Sequence, residues 1–134
     1  MTFVKWDDSF SIGIETIDEQ HKKLLALINK SIEMVESNNP EKSLEVIDDM
    51  RSYSVEHFGF EEKFFKDSAY EKTEGHLVRH KLFIDRIDYF KKGLQNDFNK
   101  MSKEIVAYLS KWLMAHILGN DRDYVAHWKI FYKE

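Results

Sequence analysis

Proline and glycine are scarce in this chain, and their scarcity constrains the fold more than any other feature. The 134 residues include one proline and five glycines. These residue types form most tight turns of β-sheet proteins, so their rarity excludes a turn-rich sandwich and predicts long helices joined by short loops. The chain length suits one domain, which we expect to span residues 1–134.

Four segments carry apolar side chains at helical spacing, and each is bounded by recognisable start or stop signals. Asp18 is the expected N-cap of the first helix, and Pro40 is the expected first residue of the second. Gly93 and Asn96 mark the end of the third helix, and Gly119 marks the end of the fourth. Short connections between long helices predict an all-α fold, an antiparallel up-down-up-down four-helix bundle over about residues 17–120.

Both ends of the chain lie outside the predicted bundle. Residues 1–16 form an N-terminal arm in which Phe10, Ile12 and Ile14 alternate with polar residues. This alternation is typical of extended chain, and we expect the arm to lie over the helices. Residues 121–134 are expected to form a short C-terminal tail helix.

Composition and charge exclude several classes of partner and site. The chain has no cysteine, which excludes disulfides, iron–sulfur clusters, thiolate zinc sites and cysteine nucleophiles. A net charge of −4 gives no electrostatic reason to expect nucleic acid as a partner. Lys5, Asp7 and Asp8 lie where a signal peptide needs apolar residues, and no apolar run approaches the ~20 residues of a membrane span. We therefore expect a cytoplasmic protein without membrane insertion.

Seven polar residues lie in or beside the apolar stripes (seams) of the four predicted helices, where apolar side chains are expected. They are His21, His57, Glu61, His76, His80, His116 and Asp121. At about 1.5 Å rise per residue, the histidines of all four helices reach the same level near one end of the bundle. So many desolvated polar groups in one layer would cost several kcal/mol unless they bound a metal. The pattern therefore favours metal ligands over buried, hydrogen-bonded side chains.

The spacing of these residues also suits metal binding. His57 and Glu61 are four residues apart, as are His76 and His80, so each pair shares one helix face. Asp121 lies five positions beyond His116. Its side chain can turn inward only if the preceding Gly-Asn pair unwinds the helix end.

The donor set predicts the metal and its coordination. Imidazoles combined with carboxylates suit divalent iron, manganese or zinc. Two octahedral irons need about twelve bonds, and the histidines, two bridging carboxylates and a bridging oxygen supply all but one of them. The one open position predicts a small ligand such as dioxygen.

The chain is similar to bacterial hemerythrins over essentially its whole length. The similarity begins at Trp6 and is carried by the motifs IDEQHKKL at 17–24, HFGFEE at 57–62, HLVRH at 76–80 and WLMAHI at 112–117, followed by Asp121. The resemblance implies two non-haem iron ions, joined by an oxo or hydroxo bridge, that bind dioxygen reversibly. It implies an oxygen carrier, store, delivery protein or sensor rather than an enzyme.

The resemblance also assigns roles to individual residues. The coordinatively full iron would be held by His76, His80 and His116. The iron with the open position would be held by His21 and His57, and the bridging carboxylates would be Glu61 and Asp121. The ligand pocket would be lined by Leu24, Phe58, Trp112, Leu113 and Leu118.

Other functions stay open at this point. A di-iron redox enzyme (an oxidase, peroxidase or nitric oxide reductase) is one, and iron storage is another. Di-iron carboxylate enzymes typically use paired Glu-x-x-His motifs, which this sequence lacks. An oxygen-consuming enzyme could receive the dioxygen, and the oligomeric state is not predicted. Outside the motifs, His127 is expected to be a surface or packing residue, and Glu62 an exposed helix charge.

Overall fold

Four long helices form the body of the molecule. The structure is a computed structural model that describes residues 4–132, apart from the side chains of residues 117 and 118. The long helices are α1 (Glu15–Glu36), α2 (Pro40–Ser68), α3 (Thr73–Asn96) and α4 (Phe98–Ala115), and a short helix α5 (Val125–Phe131) follows. No strand occurs among residues 4–132. The prediction of an all-α fold is therefore confirmed.

The four long helices close into a ring. The first packs against α2 and α4, and α3 packs against the same two helices on the opposite side. The connections between them are one to four residues long, which forces successive helices to run antiparallel. This is the predicted up-down-up-down bundle. Within residues 4–132, no helix has the length and apolar character that crossing a membrane requires.

The second helix begins as its local sequence predicts and ends at an alanine in the left-handed conformation. Pro40 is its first residue, and the side chain of Asn39 accepts a hydrogen bond from the N–H of Lys42 at 3.1 Å. At the other end, Ala69 adopts the left-handed conformation with φ of 53°. This conformation ends the helix and lets the chain turn back into α3.

The prediction for the start of α1 is wrong. The helix begins at Glu15, one turn before the expected cap Asp18. The carboxylate of Asp18 accepts hydrogen bonds from the N–H of Ile12, at 2.9 Å, and from the hydroxyl of Ser11. Because Asp18 binds the preceding arm instead of capping the helix, it holds the arm against the bundle.

The N-terminal arm is not extended throughout its described residues. A short 3₁₀ turn at Asp8–Phe10 precedes the extended residues, and Phe10 is half-buried. Ile12 and Ile14 are buried, which confirms that these alternating apolar residues of the arm face the helices. The side chain of Arg122 donates hydrogen bonds to two backbone carbonyls of the arm, at 3.0 and 3.3 Å. The arm therefore packs against the segment that follows α4.

The C-terminal tail packs across the end of α2. A 3₁₀ turn at Arg122–Tyr124 leads into α5, and Tyr124 is fully buried. His127 Nε2 lies 2.9 Å from the hydroxyl oxygen and 3.2 Å from the carbonyl oxygen of Ser68. The half-buried His127 thus packs the tail onto the bundle, as expected, whereas Phe131 at the end of α5 is exposed.

Two apolar cores lie on either side of the predicted polar layer. The larger fills the bundle and includes Leu24, Ile28, Phe83, Ile105 and Leu113. The smaller joins the arm, the end of α2 and the tail through Ile12, Ile14, Ile17, Phe64, Phe65, Tyr70 and Tyr124. Along α1, His21 stands between Ile17 of the smaller core and Leu24 of the larger. The polar layer is therefore enclosed by apolar side chains.

Candidate metal centre

All seven polar residues singled out in the sequence are buried in one layer. None exposes more than 5% of its surface. The residues of this histidine layer are His21 from α1, His57 and Glu61 from α2, His76 and His80 from α3, and His116 and Asp121 from the chain after α4. Four separate parts of the chain therefore deliver nitrogen and oxygen donors to the same place.

Asp121 is the centre of one group of contacts. Its Oδ2 atom lies 2.7 Å from His21 Nε2, 2.9 Å from His116 Nε2 and 3.2 Å from His57 Nε2. One donor atom from each of these four residues lies within 4.8 Å of the others. Three imidazole nitrogens that converge on one carboxylate oxygen form an arrangement suited to a cation.

A π-helical turn brings Asp121 into this group. The α-helical part of α4 ends at Ala115, and His116–Asn120 forms a five-residue π-helix. The N–H of Asp121 donates to the carbonyl of His116 at 3.0 Å, a bond that spans five residues. The wider turn places both side chains on the inner face, which an α-helix with this spacing would not do. The predicted unwinding at Gly119 therefore takes the form of an ordered π-turn.

Glu61 is the centre of a second group. Its Oε1 atom lies 3.1 Å from His80 Nε2 and 3.5 Å from His57 Nε2. Its Oε2 atom accepts a hydrogen bond from the hydroxyl of Tyr124 at 2.7 Å. Since His57 Nε2 is close to both Glu61 and Asp121, it links the two groups. His76 lies at the outer side, with its ring centre 6.1 Å from that of His80.

Several polar atoms of the layer have no hydrogen-bond partner among the described residues. They include Nε2 of His76, Nε2 of His80, Oε1 of Glu61 and Oδ1 of Asp121. The nearby pair of His80 and Glu61 lacks the alignment that a hydrogen bond needs. Buried polar atoms without partners cost folding free energy, and a bound cation would satisfy them. The residues present therefore fit the metal pair that the sequence predicts.

The buried environment favours the protonation state that metal binding needs at some residues of the layer and opposes it at others. Burial lowers the pKa of His57 and of His80, but neighbouring carboxylates outweigh it and raise both, which favours the charged imidazole over the form that binds a metal. Burial lowers the pKa of His76 and of His116 to about 4, so both imidazoles are neutral near neutral pH.

Burial, followed by the charge of Asp121, raises the pKa of Glu61 to about 7. Burial acts against ionisation of Asp121 as well, but His116 and its neighbours outweigh it and hold the pKa of Asp121 well below its usual range. Asp121 is therefore the carboxylate that is ionised most readily.

Two hydrogen bonds orient histidines from behind. His57 Nδ1 donates to Oε1 of Gln20 at 2.6 Å, and His80 Nδ1 donates to Oε2 of Glu62 at 2.8 Å. Each bond places the proton on Nδ1 and leaves Nε2 free to bind a metal. Glu62 is thus more than the exposed helix charge expected from the sequence. Gln20 was not singled out at all, and its position next to His21 is the one signal that could have indicated it.

Aromatic rings cover part of the layer. The ring of Phe58 stacks on His80 at a centroid distance of 4.0 Å, and that of Trp112 stacks on His116 at 4.5 Å. Leu24 and Leu113 are buried in the larger core. The side chain of Leu118, the fifth residue expected in the pocket, lies outside the described part of the chain. The role of these residues in a ligand pocket stays a prediction.

The distances do not divide the histidines between two irons in the way that the resemblance implies. The ring centre of His116 lies 5.3 Å from that of His57 and 5.5 Å from that of His21. It lies 6.4 Å from the ring centre of His80, with which the resemblance groups it. The structure thus brings the seven residues together, and their division between two metals stays a prediction.

Comparisons with known proteins agree with this arrangement. The family model described as the hemerythrin HHE cation binding domain matches residues 12–128. A bacteriohemerythrin from Pseudomonas aeruginosa is 32% identical over 125 residues, which cover 93% of this chain and 81% of the relative. A bacteriohemerythrin from Clostridium acetobutylicum is 30% identical over 125 residues, covering 90% and 97%. A myohemerythrin from Theromyzon tessulatum is 31% identical over 121 residues, covering 90% and 89%. The chain therefore belongs to the hemerythrin family.

Proposed function

We propose that this protein binds dioxygen reversibly at a non-haem di-iron centre in the histidine layer. The observation that carries the proposal is the convergence of five imidazoles and two carboxylates in one buried layer, with donor atoms that lack hydrogen-bond partners. Membership of the hemerythrin family supports the same function.

The two carboxylates are suited to bridge the metals. Asp121 faces histidines from three parts of the chain, and Glu61 faces histidines from two helices. We assign His76, His80 and His116 to the coordinatively full iron and His21 and His57 to the iron with the open position. This assignment follows the family resemblance.

We further propose that the protein is a carrier, store or sensor of dioxygen and not an enzyme. When bound, two ferrous ions can lend two electrons to dioxygen and regain them on its release. Most of the candidate donors are neutral imidazoles, which stabilise the ferric state less than carboxylates do and so favour reversibility. The rings of Phe58 and Trp112 cover His80 and His116 and exclude water that would promote irreversible oxidation.

The domain organisation, the cellular compartment and the recipient of the dioxygen are also proposals. We propose that residues 1–134 form one domain, because α1 and α2 each contribute residues to both cores and the cores enclose one polar layer. The absence of cysteine suits a reducing cytoplasm. If the protein delivers dioxygen, an oxygen-consuming enzyme in that compartment is the proposed recipient.

Repeated oxygenation of the reconstituted protein tests the proposal. The chain is loaded with ferrous iron without oxygen, its iron content is measured, and optical spectra are recorded through cycles of argon and oxygen. We expect two irons per chain and a visible band that appears with oxygen and disappears under argon. Irons that oxidise once and do not return to the ferrous state under argon would instead support a redox enzyme. Variable iron content without an oxygen-dependent band would support iron storage.

A pair of histidine variants tests the assignment of the site. The substitution His57→Ala removes a donor close to both Glu61 and Asp121, so it should abolish reversible oxygenation. The matched control is His127→Ala, because His127 contacts Ser68 and lies outside the layer. The control should keep both irons and the oxygen-dependent band. Unaltered oxygen binding in His57→Ala would show that the assignment is wrong.

A further inference from the structure

A groove on the molecular surface runs beside the histidine layer. It lies between α2 and α3 and has a volume of about 500 Å³. Its apolar wall residues include Val55 and Leu77, which are 48% and 39% exposed, together with Ile84. Charged residues at the groove are Glu62, Lys81 and Asp85. Exposed apolar surface with a polar rim is typical of grooves that contact another molecule.

One aromatic ring separates this groove from the inner histidines. Phe58 and His80 both line the groove, and their rings stack in parallel at 4.0 Å. The ring centre of Phe58 also lies 5.8 Å from those of His57 and of His116. The Phe58 ring therefore lies between the groove and the inner histidines.

Gly59, which also lines the groove, has no evident structural purpose. It lies inside α2, where glycine is less favourable than alanine by about 0.5–1 kcal/mol. Its φ is not positive, and a Cβ atom at this position would meet no atom within 4 Å. Neither backbone conformation nor packing therefore requires glycine here. Its physical consequence is an open groove, since a larger side chain would project into that space.

We propose that this groove is the entrance through which a small uncharged ligand reaches the histidine layer. Phe58 is the gate, and Gly59 keeps the entrance open. Apolar walls and an apolar gate admit an uncharged diatomic molecule, whereas an ion would lose its hydration there. The identification of the ligand as dioxygen rests on the proposed function.

Binding kinetics of paired Gly59 variants test the entrance. Association and dissociation rate constants for dioxygen are measured by stopped flow and flash photolysis on the ferrous-loaded protein. In Gly59→Leu both should fall by at least about tenfold, equivalent to about 1.4 kcal/mol in the barrier. The equilibrium constant should not change, because an obstacle in the path slows entry and exit equally. The control Gly59→Ala adds one methyl group and should slow both rates much less than Gly59→Leu does.

Xenon provides a second measurement that does not depend on oxygen binding. Crystals of the iron-loaded protein are pressurised with xenon, an uncharged atom that occupies apolar cavities. Xenon should lie in the groove against Phe58 in the unmodified protein and in Gly59→Ala. It should be absent from the groove in Gly59→Leu.

Three results would overturn the inference. Unchanged dioxygen rates in Gly59→Leu would show that the ligand enters elsewhere. Equal slowing in Gly59→Ala would indicate a stiffer helix instead of a blocked path. A change in dissociation alone would indicate an altered binding site.

Failure of the proposed function would look different, since the unmodified protein would then not bind dioxygen reversibly. Nitric oxide would then replace dioxygen as the probe. The same slowing in Gly59→Leu would still support the entrance, and unchanged nitric oxide rates would overturn it.

Discussion

The two ends of the bundle bury opposite kinds of side chain. We define the apolar end by its buried aliphatic side chains, Ile28, Ile32, Ile105 and Leu109. We define the polar end as the histidine layer together with the smaller core that covers it. The same helices α1 and α4 run through the apolar end and lead to the polar one, so the difference comes from side chains and not from the fold.

This difference separates the source of stability from the source of function. At the apolar end, removal of aliphatic surface from water stabilises the fold without any ligand. At the polar end, burial of histidines and carboxylates opposes folding unless hydrogen bonds or a cation compensate. We infer that the polar end depends on its metal and the apolar end does not. Four measurements test this contrast between the two ends.

Removal of iron should have the largest effect, confined to the polar end. A ligand that binds only the folded state at about 1,000 times its dissociation constant adds about 4 kcal/mol of stability. Chelation should therefore reduce hydrogen-exchange protection at the amide of Asp121, which bonds to His116. Amides near Ile28 and Ile32 should keep most of their protection. Equal loss of hydrogen-exchange protection at both ends would contradict the contrast between them.

Truncation of a side chain at the apolar end should have the next largest effect. Ile105 is fully buried and lies about 16 Å along α4 from His116. The substitution Ile105→Ala should lower the free energy of unfolding by about 3 kcal/mol, and the milder Ile105→Val by about 1 kcal/mol. Urea denaturation should give the same losses with and without iron. A loss that depends on iron would show that the two ends are coupled.

Loss of the Tyr124 hydroxyl at the polar end should lower the free energy of unfolding by less than the truncation of Ile105 to alanine. In Tyr124→Phe the buried Oε2 of Glu61 loses its donor, which should lower the free energy of unfolding by about 2 kcal/mol. The matched control is Tyr70→Phe, in the same small core, because the hydroxyl of Tyr70 has no hydrogen-bond partner among the described residues. Thermal denaturation of the two variants should differ clearly. Equal destabilisation would indicate that the hydroxyl contact with Glu61 contributes little.

An ion pair on the surface should have the smallest effect and none on iron binding. Arg51 Nε donates to Asp88 at 2.7 Å, and both side chains are partly exposed. The substitution Asp88→Asn should lower the free energy of unfolding by a few tenths of a kcal/mol, about the usual contribution of an exposed pair.

The pH dependence of this effect has a definite sign. The hydrogen bond from Arg51 lowers the pKa of Asp88, so the stabilisation is present above the ordinary carboxylate pKa. It disappears as pH falls through the lowered pKa of the folded state. Denaturation of the unmodified protein and of Asp88→Asn at neutral and acidic pH tests this pH dependence. A difference that persists in strong acid would have another cause.

Local signals predicted the helices well and failed where two partners competed. Asn39 and Pro40 start α2 as expected, since their partners lie within a few residues. Asp18 carries an equally good capping side chain, yet it accepts hydrogen bonds from Ser11 and Ile12. The path of the arm decides which donors reach this carboxylate, and that path depends on burial of Ile12 and Ile14 against other elements.

The residues that orient the histidines were harder to predict than the histidines themselves. Gln20 contacts a histidine 37 positions away, and Glu62 contacts one 18 positions away. Tyr124 donates to a carboxylate 63 positions away. No periodicity within one helix indicates such partners, because they depend on how neighbouring helices are aligned.

Helical spacing in the sequence is enough to predict that polar residues interrupt the apolar stripes of four helices at one level of a bundle. This prediction is possible because the rise and turn of an α-helix are the same whatever surrounds it. The folded structure was needed to show that a π-turn places Asp121 among His21, His57 and His116, and to show which nitrogen of each ring faces the layer. Those contacts depend on the alignment between helices, which side-chain packing sets over distances that no local pattern records.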